Sequence, residues 1–322
     1  MILVTGGMGF IGQHLVKRLL DAGQDVVVTW NRSWRVPEFW SDELGHRVIA
    51  ERADVAAQYD VLNVAQKHKV DSIIHLATPV IGTVTPAQDF ATNMLGLLNV
   101  LEAARAVGAR RLTLASSSTL YSGLKQGPYR EDAPLPIDSR TSTEAYKKAS
   151  ESILFHYGDR IGLSVAAIRP RAVYGPMYYS LVNLPGRLCH AAATGRAPDY
   201  GPSGPPYAED TGDFTNVKDC AELFARVHLA ERLQHRVYNV GGGHDFTMQE
   251  VADAVQAAAP EMKIELKPGA NPQGNPKDNY LDLSRARQEF GFTPEYPIPK
   301  GIPDYIAWLE AHPEETARRA AT

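Results

Sequence analysis

The chain has 322 residues, 44% hydrophobic and 22% charged, which excludes a disordered polypeptide and allows one large α/β domain or two lobes. A formal net charge of −4 excludes the basic excess of a nucleic-acid binder, and Cys189 and Cys220 lack the spacing of a disulfide framework or zinc site. No apolar run approaches the roughly 20 residues that span a bilayer, and MILVTGG at the start spells a strand and turn where a signal peptide would stand, so the expected location is cytoplasmic.

Short apolar runs recur through the first half: ILVT (2–5), DVVVTW (25–30), RVIAE (47–51), SIIHLA (72–77), RLTLASS (111–117) and SVAAIRP (164–170). Runs of this kind, separated by amphipathic stretches, predict a parallel sheet buried on both faces. After the first run, Ile11, Leu15, Leu19 and Leu20 share one helical face that Gly23 closes, and NMLGLLNVLEAARAVG (93–108) is another glycine-terminated helix. Beyond Tyr174-Gly175-Pro176 the texture turns to Pro/Gly-rich loops (195–213) with helices near 217–232 and 247–259. The predicted fold is therefore a doubly wound α/β (Rossmann) domain over residues 1–172, rejoined by about 213–240, with a smaller irregular substrate lobe over 173–322.

Gly6, Gly7, Gly9 and Gly12 fall between the first strand and the first helix. In that context glycines allow a tight turn and let a pyrophosphate approach unpaired N–H groups at the helix N-terminus, so a dinucleotide is expected. At the end of the second strand, Trp30 stands where an acid would accept from the ribose of NAD, and Asn31, Arg32 and later Arg35 follow. An arginine there accommodates a 2′-phosphate, which favours NADP over NAD.

TGGMGFIG, IIHLAT (73–78), NMLGLLNVLEAAR (93–105), ASSSTLYSG (115–123), RPRAVYGP (169–176), DFTNVKDCAEL (213–223), VYNVGGG (237–243) and LDLSRARQEFGFTP (281–294) follow in order over almost the whole chain. Together they resemble the extended short-chain dehydrogenase/reductase superfamily, in its NAD(P)-dependent epimerase/dehydratase branch. The resemblance implies that Gly6, Gly9, Phe10, Ile11, Gly12, Asn31, Arg32, Asp54, Val55, Leu76, Ala77, Thr78 and Lys147 surround the dinucleotide. It also implies a catalytic set of a strand-end hydroxyl, a tyrosine and a lysine one helical turn later. A phenol exchanges the carbinol proton as hydride moves, and the nearby ammonium lowers its pKa from about 10.

Ser117 takes the strand-end position, with Ser118 beside it. In TSTEAYKKASESIL (141–154), Ser150 and not a lysine lies four residues after Tyr146. Matching the family pattern without a gap to Tyr174-Gly175-Pro176 sets Lys147 as the lysine, Glu151 as the acid that follows it, and Thr143 where the tyrosine would stand. A threonine hydroxyl donates a hydrogen bond but has no anionic form near neutral pH. Three routes stay open: Lys147 as base, Tyr146 or another tyrosine such as Tyr121 or Tyr178 as an alternative phenol, or binding without redox chemistry.

In nucleotide-sugar members of the family, an asparagine before the YGP motif and an arginine before Asp-Phe hold the sugar-phosphate; Ala172 and Gly212 occupy those places here, and Lys277 replaces a third anchor. Arg171 is a candidate for a carboxylate or single phosphate, with Ser118 and Tyr178 as further substrate-binding candidates. His75, inside an apolar strand, is expected in the core, and His14 and His156 have no partners at ligand spacing, so no metal is expected. Helices 87–107 and 144–158 resemble those that pair in family dimers. The expected protein is an NAD(P)-dependent oxidoreductase or epimerase of the sugar or nucleotide-sugar type, a homodimer with a small sugar-like substrate. The alternatives are a dinucleotide-binding protein with little catalysis and a non-redox lyase or cyclase on the same scaffold.

Overall fold

The computed structural model describes residues 1–31, 34, 38–79, 84–274, 276 and 278–320. The chain forms two compact units, one of Met1–Gly123, Pro134–Arg169 and Ala221–Tyr238, the other of Leu124–Ala133, Pro170–Cys220 and Asn239–Thr322.

In chain order the elements run β1 (Ile2–Thr5), α1 (Phe10–Asp21), β2 (Val26–Trp30), β3 (Val48–Arg52), α2 (Asp60–Lys67), β4 (Ser72–His75), α3 (Pro86–Val107), β5 (Arg111–Ala115), α4 (Ser142–Ile161) and β6 (Ser164–Pro170). They continue as β7 (Val173–Tyr174), α5 (Leu184–Thr194), β8 (Thr211–Gly212), β9 (Thr215–Asn216), α6 (Val217–Leu229), β10 (Val237–Val240), β11 (Phe246–Thr247), α7 (Met248–Ala258), α8 (Ser284–Phe290), α9 (Ile298–Ala311) and α10 (Pro313–Ala320).

Seven strands form the central parallel sheet in the order β10-β6-β5-β4-β1-β2-β3. Each predicted apolar run supplies one strand, and Leu3, Val27, Ile73, Leu112 and Ala167 are fully buried beneath helices. Burying one such Leu, Val or Ile stabilises by about 1.5–3 kcal/mol, which is why these strands read as continuous apolar runs. The order reverses between β1 and β4, where Thr5 pairs with His75, and the crevice outside the strand ends at such a switch point is where open sheets bind ligands.

The helices beside the sheet end on local signals. Thr85 and Gln88 form a capping box at the start of α3, and Gly108 at φ 65° ends it. Thr141 caps α4 by accepting from Glu144 N at 3.2 Å, which fixes where the helix carrying Thr143, Tyr146 and Lys147 begins.

The second unit packs α5, α7 and α9 around Tyr174, Leu188, Val251, Ile302 and Tyr305. Its strands pair as two short ladders, β7 with β9 and β8 with β11.

Candidate active site

The turn from β1 into α1 is shaped by its glycines. A Cβ on Gly12 would lie 2.7 Å from Gly7 Cα and closer still to the Gly6 carbonyl, so this position must be glycine for helix and turn to pack. Gly9, exposed at the N-cap, differs: a Cβ there would meet only the Gly6 carbonyl, at 3.2 Å, and no side chain caps the helix start. An open face over a helix N-terminus fits a pyrophosphate. Phe10 and Ile11, both half-buried, form the first turn, and Gly6 lies against the backbone of Leu76 and Ala77, where the chain leaves β4.

Further along the strand ends, the Asp54 carboxylate accepts from Ala56 N at 2.9 Å and the Val55 carbonyl accepts from Asn99 at 2.9 Å. Asn31 follows β2 and is half-buried. Arg32, Arg35 and Lys277 lie outside the described residues. At the same edge the exposed Arg52 guanidinium sits over the Trp30 ring, 5.7 Å from its centroid.

At the other end of the crevice, α4 sends its neighbouring side chains in different directions. Lys147 points its ammonium inward and donates to the Ala115 carbonyl at the end of β5. Burial pushes its pKa down to about 8, against an opposing pull from the Glu151 carboxylate. Lys148 instead donates to the Asp138 carbonyl at 2.6 Å on the exterior. Half-buried Thr143, one turn before Lys147, makes no side-chain hydrogen bond among the described residues. The Ser117 hydroxyl accepts from the Thr119 amide (3.1 Å) and hydroxyl (3.0 Å), leaving its own proton to donate; Ser118 follows, half-buried, in the same 3-10 turn.

Tyr146 is 4% exposed, and its ring lies 5.4 Å from the Lys147 ammonium. Its hydroxyl is 3.3 Å from Thr78 Oγ1, which itself donates to Asn93 Oδ1 at 3.0 Å. With the threonine proton spent on Asn93, the phenol is the donor in the first link. Tyr121 is also committed: its hydroxyl accepts from Arg169 at 2.7 Å.

That arginine belongs to a buried network which the sequence reading did not resolve. Glu151, one turn after Lys147, takes both Nε (2.9 Å) and Nη2 (2.6 Å) of Arg169 and accepts from the Ser116 hydroxyl at 2.5 Å. The network ties α4, β5 and β6 together beside the strand end that presents Ser117. A lone arginine in the apolar run SVAAIRP and an acid at Lys147+4 were the available signals.

His75 is a satisfied core residue, as its apolar strand implied: Nδ1 lies 2.7 Å from Thr5 Oγ1, and burial followed by the Lys147 charge drives its pKa to about 3. Among the described residues no group of His, Cys, Asp or Glu could hold a metal, and no helix is long and apolar enough to cross a membrane.

In the second unit, Arg171 stacks on Tyr129, 5.3 Å from the ring centroid, and donates to Asn279 Oδ1. The Tyr178 hydroxyl accepts from Val182 N at 3.1 Å, and its ring lies against Gly186.

Residues 2–241 match the NAD dependent epimerase/dehydratase family. The chain is 30% identical to UDP-glucuronic acid decarboxylase 6 of Arabidopsis thaliana, over 94% of this chain and 86% of that one. It is 28% identical to a UDP-glucose 4-epimerase of Lacticaseibacillus casei, over 97% and 98%. Among solved structures, the UDP-glucose 4-epimerase of Thermus thermophilus in complex with NAD superimposes with a TM-score of 0.75 at 26% identity, covering 97% of this chain and 99% of that one. A glycine turn open at Gly9, a lysine held at the end of β5 and a family match over most of the chain converge: this protein belongs to the NAD dependent epimerase/dehydratase family, an extended short-chain dehydrogenase/reductase.

Proposed function

We propose that the protein is an NAD(P)-dependent oxidoreductase or epimerase acting on a secondary alcohol or ketone of a sugar or nucleotide sugar, with Lys147 as its acid/base. The carrying observation is the inward ammonium of Lys147, depressed to about pKa 8, with Thr143 one turn before it where the resemblance puts a tyrosine.

In this reading Gly6, Gly9, Phe10, Ile11 and Gly12 receive the pyrophosphate. Asn31, Asp54, Val55, Leu76, Ala77 and Thr78 line the rest of the dinucleotide, and Lys147 reaches its ribose. A nicotinamide bound there would supply the two-electron hydride acceptor, and donor in reverse, for the carbinol carbon. The chain moves the proton. Ser117 donates to the reacting oxygen, Thr143 makes the second hydrogen bond to it, and the neutral amine of Lys147 takes the hydroxyl proton as the carbon–oxygen double bond forms. Reversing the steps on the other face of the ketone gives an epimer; release of the ketone gives net oxidation.

A second reading keeps Tyr146 as the phenol, favoured by its ring lying 5.4 Å from the Lys147 ammonium. Its hydroxyl would first have to leave Thr78. For the cofactor, an end of β2 without a carboxylate, with Arg52 over Trp30, favours NADP. Substrate-binding candidates are Arg171 and Tyr178 on the second unit and Ser118 on the first. The exposed Phe90, Leu95 and Leu98 on α3 support a homodimer through that helix, and two buried free cysteines suit the cytoplasm.

The test is turnover of UDP-sugars by the purified protein with NAD+ or NADP+, following both product and cofactor absorbance, in wild type, Lys147→Met and Tyr146→Phe. The expected result is activity that Lys147→Met abolishes and Tyr146→Phe retains. Loss on Tyr146→Phe would transfer the proton to the phenol. Dinucleotide binding with no turnover would favour a non-catalytic role, and product formed without any absorbance change would favour a lyase or cyclase.

A further inference from the structure

We propose that Arg171 is an anion-binding residue of the second unit, built to hold a carboxylate or single phosphate on the sugar part of the substrate, apart from any nucleotide diphosphate. The inference rests on the reading that this unit holds the substrate, and it narrows that substrate to one carrying a negative charge beyond any it needs for its chemistry.

The side chain is fixed before any ligand arrives. Its amide donates to the Val240 carbonyl at 3.1 Å and its carbonyl accepts from Thr215 Oγ1 at 2.6 Å, so the backbone is held on both sides. The guanidinium lies on the face of Tyr129 and donates to Asn279 Oδ1. Asn279 is pinned in turn, its amide donating to Asp245 Oδ2 at 2.9 Å and its Nδ2 to the Thr211 carbonyl at 3.1 Å. A guanidinium carries five N–H donors in a planar fork, and the bond to Asn279 spends one of them.

Half-buried Arg171 forms no ion pair among the described residues. Two carboxylates lie within electrostatic reach of this stacked pair, Asp213 of Arg171 and Asp245 of Tyr129, and both are bonded to the main chain. Asp213 accepts from Gly242 N at 2.5 Å and Leu281 N at 2.9 Å, one bond on each oxygen. Asp245 holds the Asn279 amide with one oxygen, and its other oxygen is buried without a partner. A partly desolvated cation that is held rigid and left without a contacting anion is what a bidentate carboxylate or phosphate site requires, because little side-chain entropy remains to be lost on binding.

The experiment uses the full-length protein loaded with NAD+ and two matched pairs of probes by calorimetry: UDP-glucuronate against UDP-glucose, and glucose 6-phosphate against glucose. A charged hydrogen-bonded pair should make at least one probe carrying the additional anionic group bind about tenfold or more tighter than its partner without that group. Arg171→Gln should reduce that preference to within about twofold, chiefly by weakening the probe that carries the additional anionic group. A preference in the first pair identifies a carboxylate, and in the second a phosphoryl group. No preference in either pair, or one that survives Arg171→Gln, overturns the proposal. Should Arg171→Gln not fold, Arg171→Lys decides: it keeps the charge without the fork, so discrimination equal to wild type overturns the proposal and a clear reduction supports it. If neither UDP-sugar binds while glucose 6-phosphate discriminates, the nucleotide-sugar reading fails and the anion site stands.

Discussion

Lys147 and Lys148 are adjacent in sequence, yet a helix turns successive side chains by about 100°. One ammonium goes to the Ala115 carbonyl in the interior and the other to the Asp138 carbonyl outside. Lys147→Met should therefore lower turnover by about 10²–10⁴-fold, the usual contribution of an acid/base group. Lys148→Met should stay within about twofold, as for most surface changes. Steady-state kinetics on the two variants decides between them, and the reverse order would move the lysine assignment. A pH profile tests the same side chain. Its pKa in the folded protein, about 8, lies below the ordinary 10.5, so the folded state favours the neutral amine. The stability cost of burying the ammonium is full below pH 8 and fades as pH rises toward 10.5. Oxidative turnover, which needs the amine, should rise with pH to a plateau above about 8, and a flat profile from pH 6 to 9 would remove Lys147 as base. Spacing to Glu151 and to Tyr174-Gly175-Pro176 pointed to Lys147 over Lys148 in the sequence, and Lys147 is the one whose ammonium is turned to the strand end. The destination of the Tyr146 hydroxyl was not readable, because its partner Thr78 lies 68 positions away.

The β1–α1 turn separates two glycines that look alike in TGGMGFIG. Gly12→Ala drives a Cβ into the Gly6–Gly7 backbone, which cannot yield without opening the turn, so it should cost about 1–3 kcal/mol of stability as well as dinucleotide affinity. Gly9→Ala meets only one carbonyl oxygen at 3.2 Å in the protein itself, so it should melt within a few degrees of wild type while binding NAD(P) more weakly, the methyl group occupying the pyrophosphate's approach. Thermal melts paired with cofactor titrations check this, and equal melting-temperature losses would mean that the two positions share one structural role. The sheet was legible because, although the edge strand β3 is half-buried over residues 49–51, most of its strands are buried apolar runs, β1, β2, β4 and β6 among them. Its ends were less so: RLTLASS stops pairing at Ala115, since the Ser117 side chain caps a 3-10 turn instead of continuing the ladder. In the second unit β7, β8, β9 and β11 have two residues each, too short for any period-two pattern to register.

For the whole protein, assembly is the property with the clearest physical handle. Helix α3 buries Leu97, Val100 and Leu101 against the core but leaves Phe90, Leu95 and Leu98 at 38%, 49% and 38% exposure, an apolar stripe that a monomer would keep in water. In a two-fold symmetric dimer the same residue enters the interface from both protomers, so a single substitution acts twice. Covering one leucine fully is worth about 1.5–3 kcal/mol, and replacing it with glutamate both removes that gain and brings like charges together across the axis. Light scattering during size-exclusion chromatography should therefore give a dimer for the wild type and a monomer for Leu95→Glu/Leu98→Glu. Because both leucines are partly exposed within the protomer, the variant should keep its helical content and its cofactor affinity. A wild type that runs as a monomer at micromolar concentration, or a variant that remains dimeric, would take α3 out of any interface and leave its stripe to be explained by another partner.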